Sequence, residues 1–330
     1  MNSKKYDYSI SFTRVCAMFF IIICHLGSHF GSVFIGQLFN VGVPIFFMIS
    51  GYLYGNKKIQ DHWGWLKNRL IRLYVPLILY GICTSIITLC RGGTLPSLKE
   101  TVFFLLNLHG LNFIFYNMPD LATGPWFFTV IMFCYIFVVF YQLAEQRHRS
   151  IKHILFHYGG VITLAVVVLF AYLGVNITIS FWVGYGLRKR GILDGNKPYN
   201  FMVAIITAII AVWLRLGTNR FIDGTILYNN LIVVISHCLL AAAFFIGVRW
   251  LFEKFGKTMV RISSSNVMRW LDMISIYVYI SHEWFIKEMF GLGVPLPVEL
   301  LLYFAEVFIV ASVLYIIGNK MSKAVKRVLL

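Results

Sequence analysis

The chain has 330 residues, 59% of them hydrophobic, 17% aromatic and only 13% charged, with a mean hydropathy of +0.77. A soluble globular chain carries about 25% charged residues, so this composition excludes one. The net charge of +16 would suit nucleic acid, but the basic residues lie between apolar runs of membrane length, and no nucleic-acid partner is expected.

Those runs predict an all-α, polytopic transmembrane helical bundle of about ten spans. They lie at roughly 8–30, 33–55, 70–90, 125–143, 151–173, 176–187, 199–217, 228–251, 270–291 and 296–318. Lys4 and Lys5 precede the first run as in a signal peptide. The run is longer than a signal's apolar core and no small-residue cleavage pattern follows, so a retained anchor is expected.

The first span, YSISFTRVCAMFFIIICHLGSHF, carries Arg14 and His25. An ionisable side chain inside a bilayer costs at least ~2.5 kcal/mol and normally serves a purpose. Eleven helical steps return to within about 20° of the start, so the two share one face about 16 Å apart. Arg14 alone could snorkel to the headgroups, and His25 alone could bond a neighbouring helix. The pair on one stripe favours function.

The second span contains VPIFFMISGYLYG, where Ser50-Gly51 permits close helix approach; for Ser50 alone, packing is the simpler reading. In KNRLIRLYVP, Arg69 and Arg72 stand three apart at the mouth of the third span and could clamp a phosphate, although inner segments carry arginines in any case. The connection from Arg91 to Gly124 is half apolar, with Asn107, His109, Asn112, Asn117 and Asp120 interspersed. It suits an amphipathic or re-entrant segment. The fourth span opens GPWFFTVIMFCY, in which Trp126 reads first as an interface anchor.

The sixth span, about a dozen residues, crosses only if tilted or joined to its flanks. His237 in the eighth reads as structural. The ninth carries Ser275, Tyr277, Tyr279, His282 and Glu283, with His282 expected near mid-membrane; Glu306 follows in the tenth. Such buried polar groups need partners and suggest a polar cavity.

With the N-terminus inside, 23 of the 29 Lys and Arg fall in inner segments and 5 in outer ones, leaving Arg14 within a span. That asymmetry predicts both termini in the cytoplasm. The six cysteines lie in or beside apolar spans with no CxxC, as packing residues. No Walker, GxGxxG, GxSxG or HExxH pattern occurs, and no metal is called for. A single domain over residues 1–330 is expected, with no appended soluble domain; the basic tail NKMSKAVKRVLL suits the anionic inner leaflet.

Taken in order, Arg-x10-His, FFMISGYLYG, RLIRLYVP, PWFF and SIYVYISH resemble the acyltransferase-3 family of integral-membrane acyltransferases, over nearly the whole chain from Arg14 to His282. The second block resembles the stand-alone bacterial O-acetyltransferases that modify surface polysaccharides and their lipid-linked precursors. The chain departs from the family in reading TRVCA where Leu-Arg-Gly is usual, and in a leaner PWFF. The resemblance implies a bacterial cytoplasmic membrane protein that takes acetyl from cytoplasmic acetyl-CoA to a hydroxyl of an extracytoplasmic glycan or glycolipid. Either this bundle completes the reaction or a separate extracytoplasmic transferase does.

In that chemistry Arg14, Arg69 and Arg72 are the candidates for coenzyme A binding. His25 is the candidate base or acyl relay, since an imidazole of pKa near 6.5 suits proton transfer at neutral pH. Ser50, Tyr277, Tyr279 and His282 are candidate oxyanion donors. Trp126, Asp120 and Tyr279 are the candidates to contact the acceptor. Midplane His, Glu and Arg also suit a proton-coupled carrier or flippase, although no inverted repeat is evident. A regulator within a cell-wall enzyme system is a third reading.

Overall fold

The computed structural model describes residues 6–108, 125–147, 178–193, 199–218, 224–225 and 228–329. Among them every regular element is helical. The predicted fifth span and the calls on His109, Asn112, Asn117 and Asp120 lie outside the described residues. The chain divides into two compact units, Met1–Lys57 with Val161–Ser275, and Lys58–Gly160 with Ile276–Leu330.

The first unit begins with α1 (Tyr8–His29), started by Asp7, whose carboxylate accepts from the Ser9 amide at 3.1 Å. Next come α2 (Val33–Phe39) and α3 (Gly42–Tyr54), interrupted at Asn40 and Val41, so the predicted second span is a broken helix. After these stand α7 (Thr178–Lys189) and α8 (Asn200–Val212), the latter extended by a π-helical turn, Trp213–Gly217. A second π turn, Tyr228–Ile232, leads into α9 (Val233–Lys254), followed by α10 (Gly256–Ser263).

The contact between α3 and α7 depends on glycine. A Cβ built on Gly51 would lie 1.8 Å from the Phe181 carbonyl oxygen, and one on Gly184 2.1 Å from that of Met48. Hydrogen alone fits there, and the SGYLYG stretch thereby sets how near the two backbones come. Ile45, Met48, Tyr52, Ala241 and Phe245 fill the core of this unit, the rings of Tyr52 and Phe245 meeting edge to face at 4.9 Å.

The second unit holds α4 (His62–Cys90), α5 (Leu98–Leu105) and α6 (Trp126–Arg147), with α12 (Ile286–Met289) and α13 (Leu296–Leu329). Ser97 and Glu100 close a capping box at the start of α5, so part of the long predicted connection is an ordered helix. On α13 the buried residues Tyr303, Val307, Ala311, Leu314 and Gly318 recur at helical spacing, while Leu301, Ile309, Val313 and Ile316 stand exposed. An apolar outer face of this kind suits lipid rather than water.

Between α10 and α12 runs α11 (Asn266–Ser281), whose residues to Ser275 belong to the first unit and the rest to the second. The predicted ninth span, 270–291, is thereby corrected: the helix stops at Ser281. The Trp284 amide turns back to the Ser281 carbonyl at 3.1 Å. Trp284 stacks on Tyr80 at 5.7 Å and its Nε1–H donates to Thr84 at 3.1 Å, a tertiary anchorage that replaces the next helical turn. His282 therefore sits at a helix end and not in mid-span.

Seven helical stretches among the described residues are long and apolar enough to cross a membrane: Tyr8–His29, Val33–Tyr54 (α2 and α3 taken together), His62–Cys90, Trp126–Gln146, Asn200–Gly217, Val233–Lys254 and Leu296–Leu329. At twelve residues, or about 18 Å, α7 is too short to cross upright.

Candidate functional site

Arg14 and His25 lie on one unbroken α-helix, as their spacing requires. Both are half-buried. Arg14 is not an open cation: its Nη2 donates to Asp272 Oδ2 at 3.0 Å, and Nε lies 3.0 Å from Oδ1. The Asp272 side chain is only 9% exposed, so this carboxylate is committed to its partner. Tyr6 extends the cluster, with its hydroxyl 2.6 Å from Ser11 Oγ and donating to Asp272 Oδ2 at 3.3 Å. The pairing fixes one edge of the guanidinium and leaves part of its five-donor fork for another ligand.

Asp272 was missed by the sequence reading, although a signal was present. An acid inside an apolar run needs a cation, and Arg14 is a cation inside another.

A second group of cations surrounds Tyr52 at the C-terminal part of α3. Arg188 stands over its ring at 5.2 Å and donates to its hydroxyl at 3.2 Å, and Arg249 stands over the same ring at 5.6 Å. Arg249 also bonds the Asp7 carboxylate at 2.8 Å, tying α9 to the start of α1. Ser50, on the preceding turn, is half-buried.

In the second unit, α4 begins eight residues ahead of its predicted span, so Arg69 and Arg72 are helical and one turn apart. Arg69 lies 5.7 Å from the ring centroid of Trp65, and Arg72 is exposed. At 29 residues α4 is about 43 Å long against a hydrocarbon core of about 30 Å, which leaves its first turns room to project from the bilayer.

The end of α11 and the start of α6 come together around Tyr279. Its ring lies 5.4 Å from Phe127, 6.1 Å from Phe128 and 6.2 Å from His282. His282 is buried, with Nδ1 2.8 Å from the Tyr279 carbonyl oxygen. A carbonyl only accepts, so Nδ1 carries the proton, and in the neutral ring Nε2 holds the lone pair. Tyr303 donates to the His282 carbonyl at 2.9 Å and fixes the backbone. Trp126 is half-buried at the first position of α6. The Tyr277 hydroxyl is packed against Gly318, where a Cβ would come within 2.1 Å of it. Oε2 of Glu306 is buried without a hydrogen-bond partner among the described residues.

Within one unit the structure thus joins Arg14 to Asp272, and within the other it joins Tyr279 and His282 to the PWFF stretch. An imidazole with a defined tautomer and a guanidinium held by a carboxylate are groups suited to proton transfer and anion binding. A family model described as an acyltransferase domain matches residues 7–317 of the chain. No curated protein and no solved structure matches it.

Proposed function

The chain belongs to the acyltransferase-3 family, and from that membership we propose that it is a multi-pass O-acetyltransferase of the bacterial cytoplasmic membrane. Its donor is cytoplasmic acetyl-CoA and its acceptor a hydroxyl of an extracytoplasmic or lipid-linked surface glycan. The observation that carries the acyl-transfer reading is the family match over residues 7–317. Arg14 and His25 on one continuous helix support the assignment of roles.

In this reading His25 removes the proton from the acceptor hydroxyl as its oxygen attacks the thioester carbonyl carbon. The tetrahedral oxyanion collapses, the C–S bond breaks, and coenzyme A leaves as the thiol after taking up a proton. In the relay variant His25 is itself acylated and passes the acetyl group on. Ser50, Tyr279 and His282 are the candidate donors to the oxyanion. Arg14, oriented by Asp272, and the Arg69–Arg72 pair bind the phosphates of the donor. Trp126, Asp120 and Tyr279 contact the acceptor. The reading takes the chain as ten spans with both termini cytoplasmic, the donor approaching from the inner side and the acceptor from the outer.

The test is transfer of labelled acetyl from acetyl-CoA to a sugar acceptor by the purified protein in detergent. Activity that disappears in a folded His25→Ala protein supports the proposal. Absence of transfer by the wild type, with sugar or glycolipid crossing vesicle membranes regardless of His25, would establish the carrier alternative instead.

A further inference from the structure

Arg215, which the proposed reaction does not use, stands in the π turn that ends α8 and is 8% exposed. Its Nη1 donates to the Tyr228 hydroxyl at 3.4 Å, a long bond, and its guanidinium carbon lies 5.8 Å from that ring's centroid. The Tyr228 hydroxyl gives its own proton to the Arg215 carbonyl at 2.7 Å. Arg215 Nε is buried with no hydrogen-bond partner among the described residues. His237 on α9, 6% exposed, interacts electrostatically with Arg215, and its Nε2 is also buried without a described partner.

A guanidinium stays charged at any accessible pH, and a buried cation needs a counter-charge. Among the described residues no carboxylate pairs with Arg215. The His237 imidazole, within electrostatic reach of Arg215, supplies a nitrogen rather than an acid. Both flanks of the site are π turns, Trp213–Gly217 and Tyr228–Ile232, which are rare and concentrate at functional sites. Four features coincide: a charged fork, an aromatic wall, an imidazole and distorted backbone on either side. A neutral ligand would bring this cation no counter-charge.

We propose that Arg215, Tyr228 and His237 form a buried receptor for an oxyanion, the phosphate or carboxylate of a bound molecule. Arg215 is not among the cations assigned to coenzyme A in the proposed function, so the two assignments are tested separately. Two sources share the chemistry, an anionic lipid headgroup and a soluble anion, and the experiment distinguishes them.

The full chain is purified in neutral detergent, and its thermal unfolding midpoint is followed at constant ionic strength as inorganic phosphate replaces chloride. The measurement is repeated in phosphatidylcholine nanodiscs with and without phosphatidylglycerol. At about 100 times Kd a specific anion raises the midpoint by about 5 °C. A rise with phosphate assigns a soluble anion, and a rise with phosphatidylglycerol alone assigns a lipid. Either rise is expected to vanish in Arg215→Gln and to shrink in His237→Gln, while stabilisation by acetyl-CoA persists in both. Loss of the acetyl-CoA effect in the wild type would count against the proposed function and leave this site untouched.

The proposal is overturned if neither anion moves the wild-type midpoint, or if His237→Gln and Arg215→Gln respond as fully as wild type. Should Arg215→Gln fail to fold, Arg215→Lys and His237→Gln carry the test through the anion concentration needed, expected to rise about tenfold. Asp223→Asn, at a position outside the described residues, is expected to change neither midpoint nor response; a loss of stability matching that of Arg215→Gln would mean that Asp223 is the counter-charge and would overturn the proposal as well.

Discussion

Arg14 is held by a carboxylate that is itself almost fully enclosed, and this asymmetry sets what each substitution does. Removing Asp272 leaves a half-buried cation without its counter-charge, whereas removing Arg14 leaves a nearly buried anion. Asp272→Asn should cost about 1 kcal/mol and Arg14→Gln more, within about 3 kcal/mol, as the anion is the more enclosed partner. A double-mutant cycle read by unfolding in detergent should give a coupling of about 1 kcal/mol. Additive single effects would mean that the contact contributes nothing. For transfer, His25→Gln should lower kcat by about 10²–10⁴, the usual worth of a positioned proton acceptor. At His282 the two nitrogens can be separated. Asn can reach the Tyr279 carbonyl as Nδ1 does and so should keep the fold, but it presents nothing where Nε2 stood. His282→Asn that keeps both fold and activity would remove this residue from the chemistry.

At the level of elements, the α3–α7 contact makes the sharpest forecast. Gly51→Ala and Gly184→Ala each drive a methyl group into a backbone carbonyl, at 1.8 and 2.1 Å, and no flexible side chain can move aside. Each should cost about 1–3 kcal/mol or prevent folding. Gly186, on the same helix, has nothing within 4 Å of a built Cβ. Gly186→Ala should be neutral or stabilise by up to about 1 kcal/mol through helix propensity. Thermal unfolding of the three proteins side by side checks this, and equal effects would show that helix approach is not what these glycines serve. The end of α11 teaches the opposite lesson. The sequence MISIYVYISHEWFIKEM has no Pro or Gly to stop a helix, so period and propensity both extend it. The stacking of Trp284 on Tyr80 and its bond to Thr84 end it instead, through residues 200 positions apart.

For the whole molecule, the distribution of charge makes a topological forecast. At 34 residues α13 is about 51 Å long, so its last turns, bearing Lys320, Lys323, Lys326 and Arg327, extend beyond a single bilayer crossing. In a background with all six cysteines replaced, Lys323→Cys should react with a membrane-impermeant thiol reagent only after the cells are opened. Labelling of intact cells would reverse the predicted orientation. Membrane class, helical architecture, most of the spans and the family were legible in the sequence, because hydropathy and the 3.6-residue period are properties of neighbouring residues. Arg14 and His25 on one face followed from the same local rule. The partners did not: Asp272 for Arg14, Asp7 for Arg249, Tyr228 and His237 around Arg215. Each joins residues on different helices, and His237, which reads as isolated along the chain, stands within electrostatic reach of a buried cation. A lone charge in an apolar run announces only that it needs a counterpart; packing of the helices decides which counterpart it finds, since Coulomb attraction and hydrogen bonding act over a few ångströms of space and take no account of distance along the chain.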